Sequence, residues 1–544
     1  MHRPRDSATL REAVLGSGFT PGGRDIEAIV GLLADDDEAV ARGAERALVR
    51  AAASGAMPSV VERVLGSLAG ASPELRALGW RLLGRLAPTD AATATALMTA
   101  LGDADTRVQR AAAHALGRLG GSERAADIAG ALLGAWDAVP DLPMARALAE
   151  ALGKLGPTVA TDGARERLRA ALTGDRELAR VARKALAMLE RDGSRGDESE
   201  IDGAREAAFD VHVVLSCRAG LEAMVREELL EKCASASSAV GAPGTGQVTA
   251  VWRGAPERLF AVRTMIDFAF ASPVATGTNV ETACADALTG VTAARILETW
   301  TRGVVRYRID WAERGHRRGA TWAVVHAVAE RRPSWVNDPT ESTWQVTVQA
   351  DRGRVRLLLS PQKLRDPRFT YRLRDVPAAS HPTLAAALVR ASRPRPDDVV
   401  WDPFVGSGTE LIERSRAGPF ARLVGSDLDP TALTAARENA EAAGTPVVLE
   451  TGDATTHAPP GVTCIITNPP MGRRVTRDGT LAVMLDAFTD HVARVLGRGG
   501  RLAWLSPLGG RTAARAEASG LRVSLRQPVD MGGFHAELQV WEKG

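Results

Sequence analysis

Apolar and small residues recur at helical spacing through the first 190 residues. The segments GAERALVRAA, ALGWRLLGRLA, AAAHALGRLG, RALAEALGKLG and VARKALAMLE each set leucine and alanine on one helical face. With Leu48, Leu83, Leu116, Leu152 and Leu186 aligned, the steps are 35, 33, 36 and 34 residues. A second apolar helix and a turn precede each segment, as in LMTALGDADTRVQRAAAHALGRLG. Two helices per period of this length predict an α-helical solenoid over 1–190, of about five units that bury their stripes only against neighbours. Then RDGSRGDESEIDGARE is nearly free of apolar residues, which predicts a linker over 191–207.

The pattern changes after that. Over 208–375 it mixes periods, as expected for an α+β region: FDVHVVLSC alternates like a strand and GLEAMVREELLEK is an amphipathic helix. WQVTVQADRGRVRLLLS reads as a hairpin turning at Asp351-Arg352-Gly353. From 376 to 544 the strand-like runs DVVWD, RLVGSD, PVVLETGD, TCIITNPP and GRLAWLSP alternate with helical PTALTAARENAEAAG and LAVMLDAFTDHVARVLG. That alternation predicts an α/β, Rossmann-like domain with a parallel sheet. Ligands of such sheets bind beyond the carboxyl ends of the strands, so the residues ending each strand matter most.

Composition narrows the picture a little. At 45% hydrophobic and 25% charged, the 544 residues suit an ordinary multidomain globular chain. No apolar run reaches the ~20 residues of a membrane span, and MHRPRDSATLREAV has no apolar segment behind its charges, unlike a secretory signal. Cys217, Cys233, Cys284 and Cys464 form no CxxC pair, so neither a metal site nor a disulfide framework is expected, and a cytoplasmic setting is. Net charge is +2, yet 16 Lys/Arg against 7 Asp/Glu between Arg302 and Arg374 give a local +9. A basic segment in a nearly neutral chain fits a polyanionic partner, although a solvated arginine-rich surface has the same composition.

The strand ends carry the candidate chemistry. VVWDPFVGSGTELIER leaves a strand at Asp402, turns through Gly406 and Gly408 and enters a helix at Thr409. Glycines let backbone approach a ligand, and the spacing is that of neither a nucleoside triphosphate loop nor a dinucleotide fingerprint. Asp427 follows Asp402 by 25 residues, the interval at which such folds set an acid on ribose hydroxyls. Asp453 ends the third run, where it can accept an adenine amino group. Each aspartate alone reads equally well as a turn or helix cap, and Asp429, directly before Pro430, is left as a cap. Three acids and a glycine loop, one per strand end, are harder to dismiss together. The fourth run ends in Asn468-Pro469-Pro470, and two prolines cannot continue a central strand. The Asn468 amide oxygen and the Pro469 carbonyl can both accept hydrogen bonds from one exocyclic amine, directing its lone pair at an electrophile by positioning alone.

The order DPFxGSGT, GSDxD, GD, NPP resembles S-adenosylmethionine-dependent methyltransferases of amino nitrogens. With WVNDPTESTWQVTVQADRGRVRLLLS and LRDPRFTYRLRD upstream and NPPMGRR at the site, residues 208–544 resemble the THUMP-containing RNA guanine-N2 methyltransferase family. The first 190 residues lie outside that likeness and resemble HEAT repeats. The resemblance implies a THUMP-like RNA-binding region at 208–375, a methyltransferase domain at 376–544, S-adenosylmethionine as cofactor, and tRNA, or else rRNA, as partner. It implies that Asp402, Phe404, Gly406, Ser407, Gly408 and Thr409 form the methionine end of the cofactor site. Asp427 and Leu428 would hold its ribose and Asp453 and Ala454 its adenine, with Asn468 also touching the cofactor while Asn468, Pro469 and Pro470 hold the target amine beside it. Met471, Gly472, Arg473 and Arg474 would contact substrate. Met471 departs from the pattern, since an aromatic ring usually stands there to stack on the base. Adenine N6, cytosine N4 or a protein glutamine also suit Asn-Pro-Pro. A reading of another class makes the repeats a protein-binding scaffold beside a vestigial catalytic domain.

Overall fold

The computed structural model describes residues 6–119, 123–138, 141–156, 162–193, 197–313, 317–377, 379–472 and 480–544. They form two compact units, Met1–Asp197 and Glu198–Gly544.

In the first unit the helices Pro73–Leu86, Thr106–Leu116, Leu142–Lys154 and Arg176–Gly193 pack in succession. Ser72, Asp105 and Asp141 start three of them by accepting hydrogen bonds from the backbone N–H of Leu75, Arg107 and Met144. Leu48, Leu83, Leu116 and Leu152 are buried as the repeat requires, whereas Leu186 is half-buried and Leu189 takes the inner place. The register is set by close backbone approach. A Cβ on Gly84, Gly117 or Gly153 would lie 2.6, 2.7 or 2.6 Å from the Cα of Ala115, Ala151 or Ala185. Each glycine directly follows one repeat leucine and each alanine directly precedes the next, so ALG is the stacking unit.

The second unit starts earlier than its composition suggests. Instead of a linker over 191–207, the last helix runs to Gly193, and Ser199–Ile201 pairs antiparallel with Thr301–Gly303. Ile201 packs on the apolar core and the Ser199 hydroxyl donates to the Val304 carbonyl at 2.7 Å. The acids that made the stretch look solvated, Glu198, Glu200 and Asp202, surround Arg302 at 3.5–3.9 Å.

A mixed sheet follows. Its central strands run Val211–Ser216, Asp267–Ala271, Arg354–Pro361, Trp344–Asp351 and Arg306–Trp311 in hydrogen-bonded order. The expected hairpin is present: Asp351 pairs with Arg354, leaving Arg352 (φ 46°) and Gly353 (φ 79°) in a two-residue turn that needs positive φ twice. Phe270 stacks on the buried Trp300 at 4.3 Å in the core below.

The remaining strands are β1 (Val399–Asp402), β2 (Arg422–Asp427), β3 (Val448–Thr451), β4 (Cys464–Thr467), β5 (Arg501–Ser506), β6 (Leu521–Asp530) and β7 (His535–Lys543). They lie in the order β3-β2-β1-β4-β5-β7-β6. The five expected strands are parallel, and β7 is antiparallel to both neighbours, an ending that the alternating runs up to β5 did not announce. At the amino ends of the strands, buried Asp398 accepts from Arg501 at 2.5 Å and Arg414 at 3.4 Å, closing that end of the sheet.

The close approach at the repeats is directly testable. Gly153→Ala should destabilise the helical unit by about 1–3 kcal/mol through overpacking. Gly66→Ala, at an exposed helical position with open space around it, should stabilise by about 0.5–1 kcal/mol. Thermal unfolding followed by circular dichroism would show the opposite shifts; a Gly153→Ala protein as stable as the parent would refute the contact.

Candidate active-site cleft

Chain order in the sheet reverses between β1 and β4, and a cleft of about 760 Å³ opens beside that point, a size that suits small-molecule ligands. Pro403 and Phe404 follow β1, Asp427 and Leu428 end and follow β2, residues 452–455 follow β3 and Pro470 follows β4. Helix Thr480–Val495 supplies the opposite wall with Val483, Met484 and Ala487. Phe488 of that helix holds the Phe404 ring edge-on at 5.3 Å. Leu428 and Val483 are exposed apolar side chains on this cleft, and such surface fits a flat ring better than water.

The cleft gathers Phe404, Asp427, Leu428, Asp453, Ala454 and Pro470 of the residues expected from sequence. Gly406 and Gly408 adopt φ of 50° and 80°. A Cβ on Gly408 would press within 3.3 Å of Ala436, so this position needs glycine for space as well as for conformation. The Gly406 N–H donates to Asp427 Oδ2 at 3.1 Å and the Asp429 N–H to Oδ1 at 3.0 Å. Asp427 is thus oriented by backbone while it stays partly open to the cleft. Asp429 caps the next helix through the Thr431 N–H, as expected. Thr455 donates its hydroxyl and its N–H to Asp453 Oδ1 at 2.7 and 2.8 Å, holding that carboxyl below its ordinary range. Ser407, Gly408 and Thr409 do not line the cleft; the two hydroxyls pair with each other at 3.0 Å and shape the loop behind it.

Asp402 also lies behind the wall. It is fully buried, accepting at Oδ1 from the Thr467 hydroxyl at 2.6 Å and the Phe404 N–H at 3.1 Å, so it ties β1 to β4. Its Oδ2 has no partner among the described residues, and burial, then the nearby Glu410 carboxylate, push its pKa well up. Glu410, buried in the helix Thr409–Arg416, accepts from the Ser380 hydroxyl, and burial raises its pKa to about 7. Ser380 Oγ in turn accepts from Asn468 Nδ2 at 2.8 Å, while Asn468 Oδ1 is buried without a partner among the described residues. An unsatisfied acceptor costs about 1–3 kcal/mol, a cost that a ligand donor would relieve. Glu410 and Ser380 escaped the sequence reading. Glu410 lies inside a helix beside the glycine loop, and Ser380 is 88 residues from Asn468 with no local pattern to link them.

Beyond Asn468, Met471 is half-buried against the apolar cluster of the domain rather than lining the cleft. Gly472 has φ 74°, and a Cβ there would meet Leu481 at 2.6 Å. Arg473 and Arg474 lie outside the described residues. Of the fifteen described basic residues between Arg302 and Arg374, nine are within 4 Å of a carboxylate, Arg306 with Asp338 in the core among them. Much of the local excess is therefore spent inside the fold. Arg352, Arg354 and Arg356 on the hairpin and Arg365 after it have no carboxylate partner among the described residues, and these keep a free charge.

The 208–375 region is bolted to the sheet that carries the cleft. Buried Glu413 takes Arg263 through two hydrogen bonds of 2.6 and 2.8 Å and the Tyr371 hydroxyl at 2.7 Å. Asn439 accepts from the N–H groups of Leu373 and Arg374 and donates to the carbonyls of Arg374 and Ser407. Leu221 and Met224 complete the joint inside an apolar cluster of the sheet that carries the cleft.

Comparison with known proteins fits this geometry. Residues 370–536 match the family described as RMKL-like, methyltransferase domain, and residues 61–140 match HEAT repeats. A tRNA (guanine(6)-N2)-methyltransferase of Thermus thermophilus is 36% identical over 166 residues, 30% of this chain and 49% of the relative. A tRNA (guanine(10)-N2)-dimethyltransferase of Methanothermobacter thermautotrophicus is 30% identical over 134 residues, 24% and 39% of the two chains. The matched segments thus span about half the length of the first relative or less. The crystal structure of TrmN from Thermus thermophilus aligns over 62% of this chain and 100% of its own, with a TM-score of 0.51 at 24% identity, which establishes a shared fold.

Removing the arginine of the joint leaves a buried carboxylate without its cation. Arg263→Ala should cost about 3–5 kcal/mol, and Tyr371→Phe about 1 kcal/mol, both read from denaturant midpoints. Equal losses in the two variants would contradict the primacy given to the ion pair.

Proposed function

We propose that this chain is an S-adenosylmethionine-dependent RNA methyltransferase acting on an exocyclic base nitrogen, guanine N2 of tRNA in the first instance. The observation that carries the reading is Asn468, whose amide oxygen is buried without a partner among the described residues just after β4, two residues before Pro470 of the cleft walled by Asp427 and Asp453. The match to a methyltransferase-domain family and the tRNA guanine-N2 activities named for both relatives support it.

The cleft residues fit the cofactor. Asp427 offers a backbone-oriented carboxylate for ribose hydroxyls, Asp453 an acceptor for an amino group, and Leu428 and Val483 apolar cover for a ring. Bound S-adenosylmethionine supplies an electrophilic methyl group. The chain's own work is to hold the acceptor: Asn468 Oδ1 and the Pro469 carbonyl accept from the target amine and aim its lone pair. No strong base is needed, because the amine loses its proton after alkylation. Asp402, Ser407, Gly408 and Thr409 act one layer back, keeping the loop in shape for Phe404 and Gly406.

The 208–375 region is the proposed THUMP-like RNA anchor, with the unpaired arginines of the hairpin, Arg352, Arg354 and Arg356, as phosphate contacts. The N-terminal repeats are the proposed protein-binding surface, and the cytoplasm the proposed setting.

Labelled methyl transfer to total RNA followed by nucleoside mass spectrometry should yield N2-methylguanosine in tRNA; label confined to protein or DNA overturns the reading. Asn468→Ala should lower kcat by about 10²-fold or more, the scale of losing a positioned transition-state hydrogen bond, with cofactor affinity intact. Asp427→Ala should instead weaken cofactor binding by roughly 10- to 100-fold, measured by calorimetry. An unchanged dissociation constant would remove Asp427 from the site.

A further inference from the structure

We infer that Glu410 and Ser380 are positioning residues that fix the orientation of the Asn468 amide, so that its oxygen and not its nitrogen faces the target amine. The inference rests on the role proposed above for Asn468 and adds the device that sets it.

The argument is one of hydrogen counting. A serine hydroxyl has a single hydrogen, and that of Ser380 is given to the buried carboxylate of Glu410. Its oxygen can then only accept from Asn468, so the amide must turn Nδ2 toward Ser380, as it does at 2.8 Å. Oδ1 is thereby left on the other side, buried and without a partner among the described residues. An asparagine without this relay could present either end, and the wrong end would set an N–H against the amine that it must accept from.

Several charged groups surround Glu410. Asp402 approaches from the end of β1, with Asp427 of β2 behind it, and Glu413 lies one turn along the same helix. Arg372, from the segment before helix Pro382–Ala391, favours the ionised form but gives its hydrogen bond to Asp375 at 2.6 Å. Glu410 has no cation bonded to it among the described residues, and burial brings its pKa to about 7. Below that pH the acid carries a proton and donates it in a hydrogen bond to Ser380 Oγ. The serine hydrogen then turns to the amide, which rotates to accept through Oδ1 and leaves Nδ2 toward the substrate. Methyl transfer should therefore rise with pH through about 7 and level off above it.

Glu410→Gln copies the protonated acid with little change of shape, and Ser380→Ala removes the relay. At pH 8 each should lower kcat by about tenfold, the factor for one hydrogen bond to a charged group, with cofactor dissociation constants unchanged. The pH profile should flatten in both, and Ser380→Thr, which keeps the hydroxyl, should restore much of the rate. A second readout needs no turnover. The chain has four asparagines, so selective 15N-asparagine labelling isolates the Asn468 side-chain amide, assigned by its loss in Asn468→Ala. That signal should move with pH through about 7 in the parent protein and stay still in Glu410→Gln. Parent-like kcat and pH profile in Glu410→Gln and Ser380→Ala, with a pH-insensitive Asn468 signal, overturn the relay and leave the methyltransferase reading standing. A parent protein inert toward RNA overturns that reading, and the amide signal still decides whether Glu410 sets Asn468.

Discussion

Two carboxylates one turn apart on the buried helix Thr409–Arg416 tie together the parts of the second unit that bear on the cleft. Residues three apart share a helical face, so Glu410 and Glu413 look out on the same surroundings. Glu413 takes Arg263 from the 208–375 region and Tyr371 from the connecting segment. Glu410 takes Ser380 and, through it, Asn468. The helix begins at the glycine loop whose Gly406 N–H orients Asp427. Moving this helix would disturb the joint to the 208–375 region, the Asn468 amide and the Asp427 wall of the cleft at once.

The two ends of the sheet treat buried acid differently. At the amino ends Asp398 is surrounded by Arg501, Arg414, the Arg395 N–H and the Thr463 hydroxyl, so its charge is met on every side. At the carboxyl ends Asp402 is equally buried but receives one hydroxyl and one N–H, and Glu410 receives a hydroxyl. Burial is the first cause of the raised pKa values of Asp402 and Glu410, and a neighbouring carboxylate adds to it, Glu410 at Asp402 and Glu413 at Glu410. Strain of this kind belongs to the ligand-binding end of an α/β sheet, and the neutralised acid to the end that only stabilises it.

What was legible in the sequence followed from local periodicity. Runs ending in Asp402, Asp427 and Asn468 are short, apolar and bounded, so β1, β2 and β4 and their terminal residues could be read directly. The solenoid was legible for the same reason, although its register depends on glycine–alanine approaches between repeats that spacing alone does not single out. What was missed is non-local. Ser380 acquires meaning only when β4 brings Asn468 beside it, and the linker disappears only when Thr301–Gly303 offers a strand edge to Ser199–Ile201. Counting charges along 302–374 overstated the free basic surface, because the partners of Arg331, Arg332 and Arg374 are Asp286, Glu298 and Glu438, all outside that window.

Met471 brings these strands of argument together. At a position where a ring would stack on a base, the side chain packs instead on the cluster shared by Leu221 and Met224 of one region and Leu384, Val529 and Ala536 of the other. An unbranched, polarizable thioether conforms to such a mixed surface more readily than a rigid ring. The residue after the prolines therefore joins the same apolar cluster as Leu221 and Met224 of the joint. Asn468 and Pro469 do not depend on that ring to meet an amine. Met471 thus leaves the atoms proposed to hold the amine untouched and transfers the cover of the proposed target base to whatever else approaches the cleft.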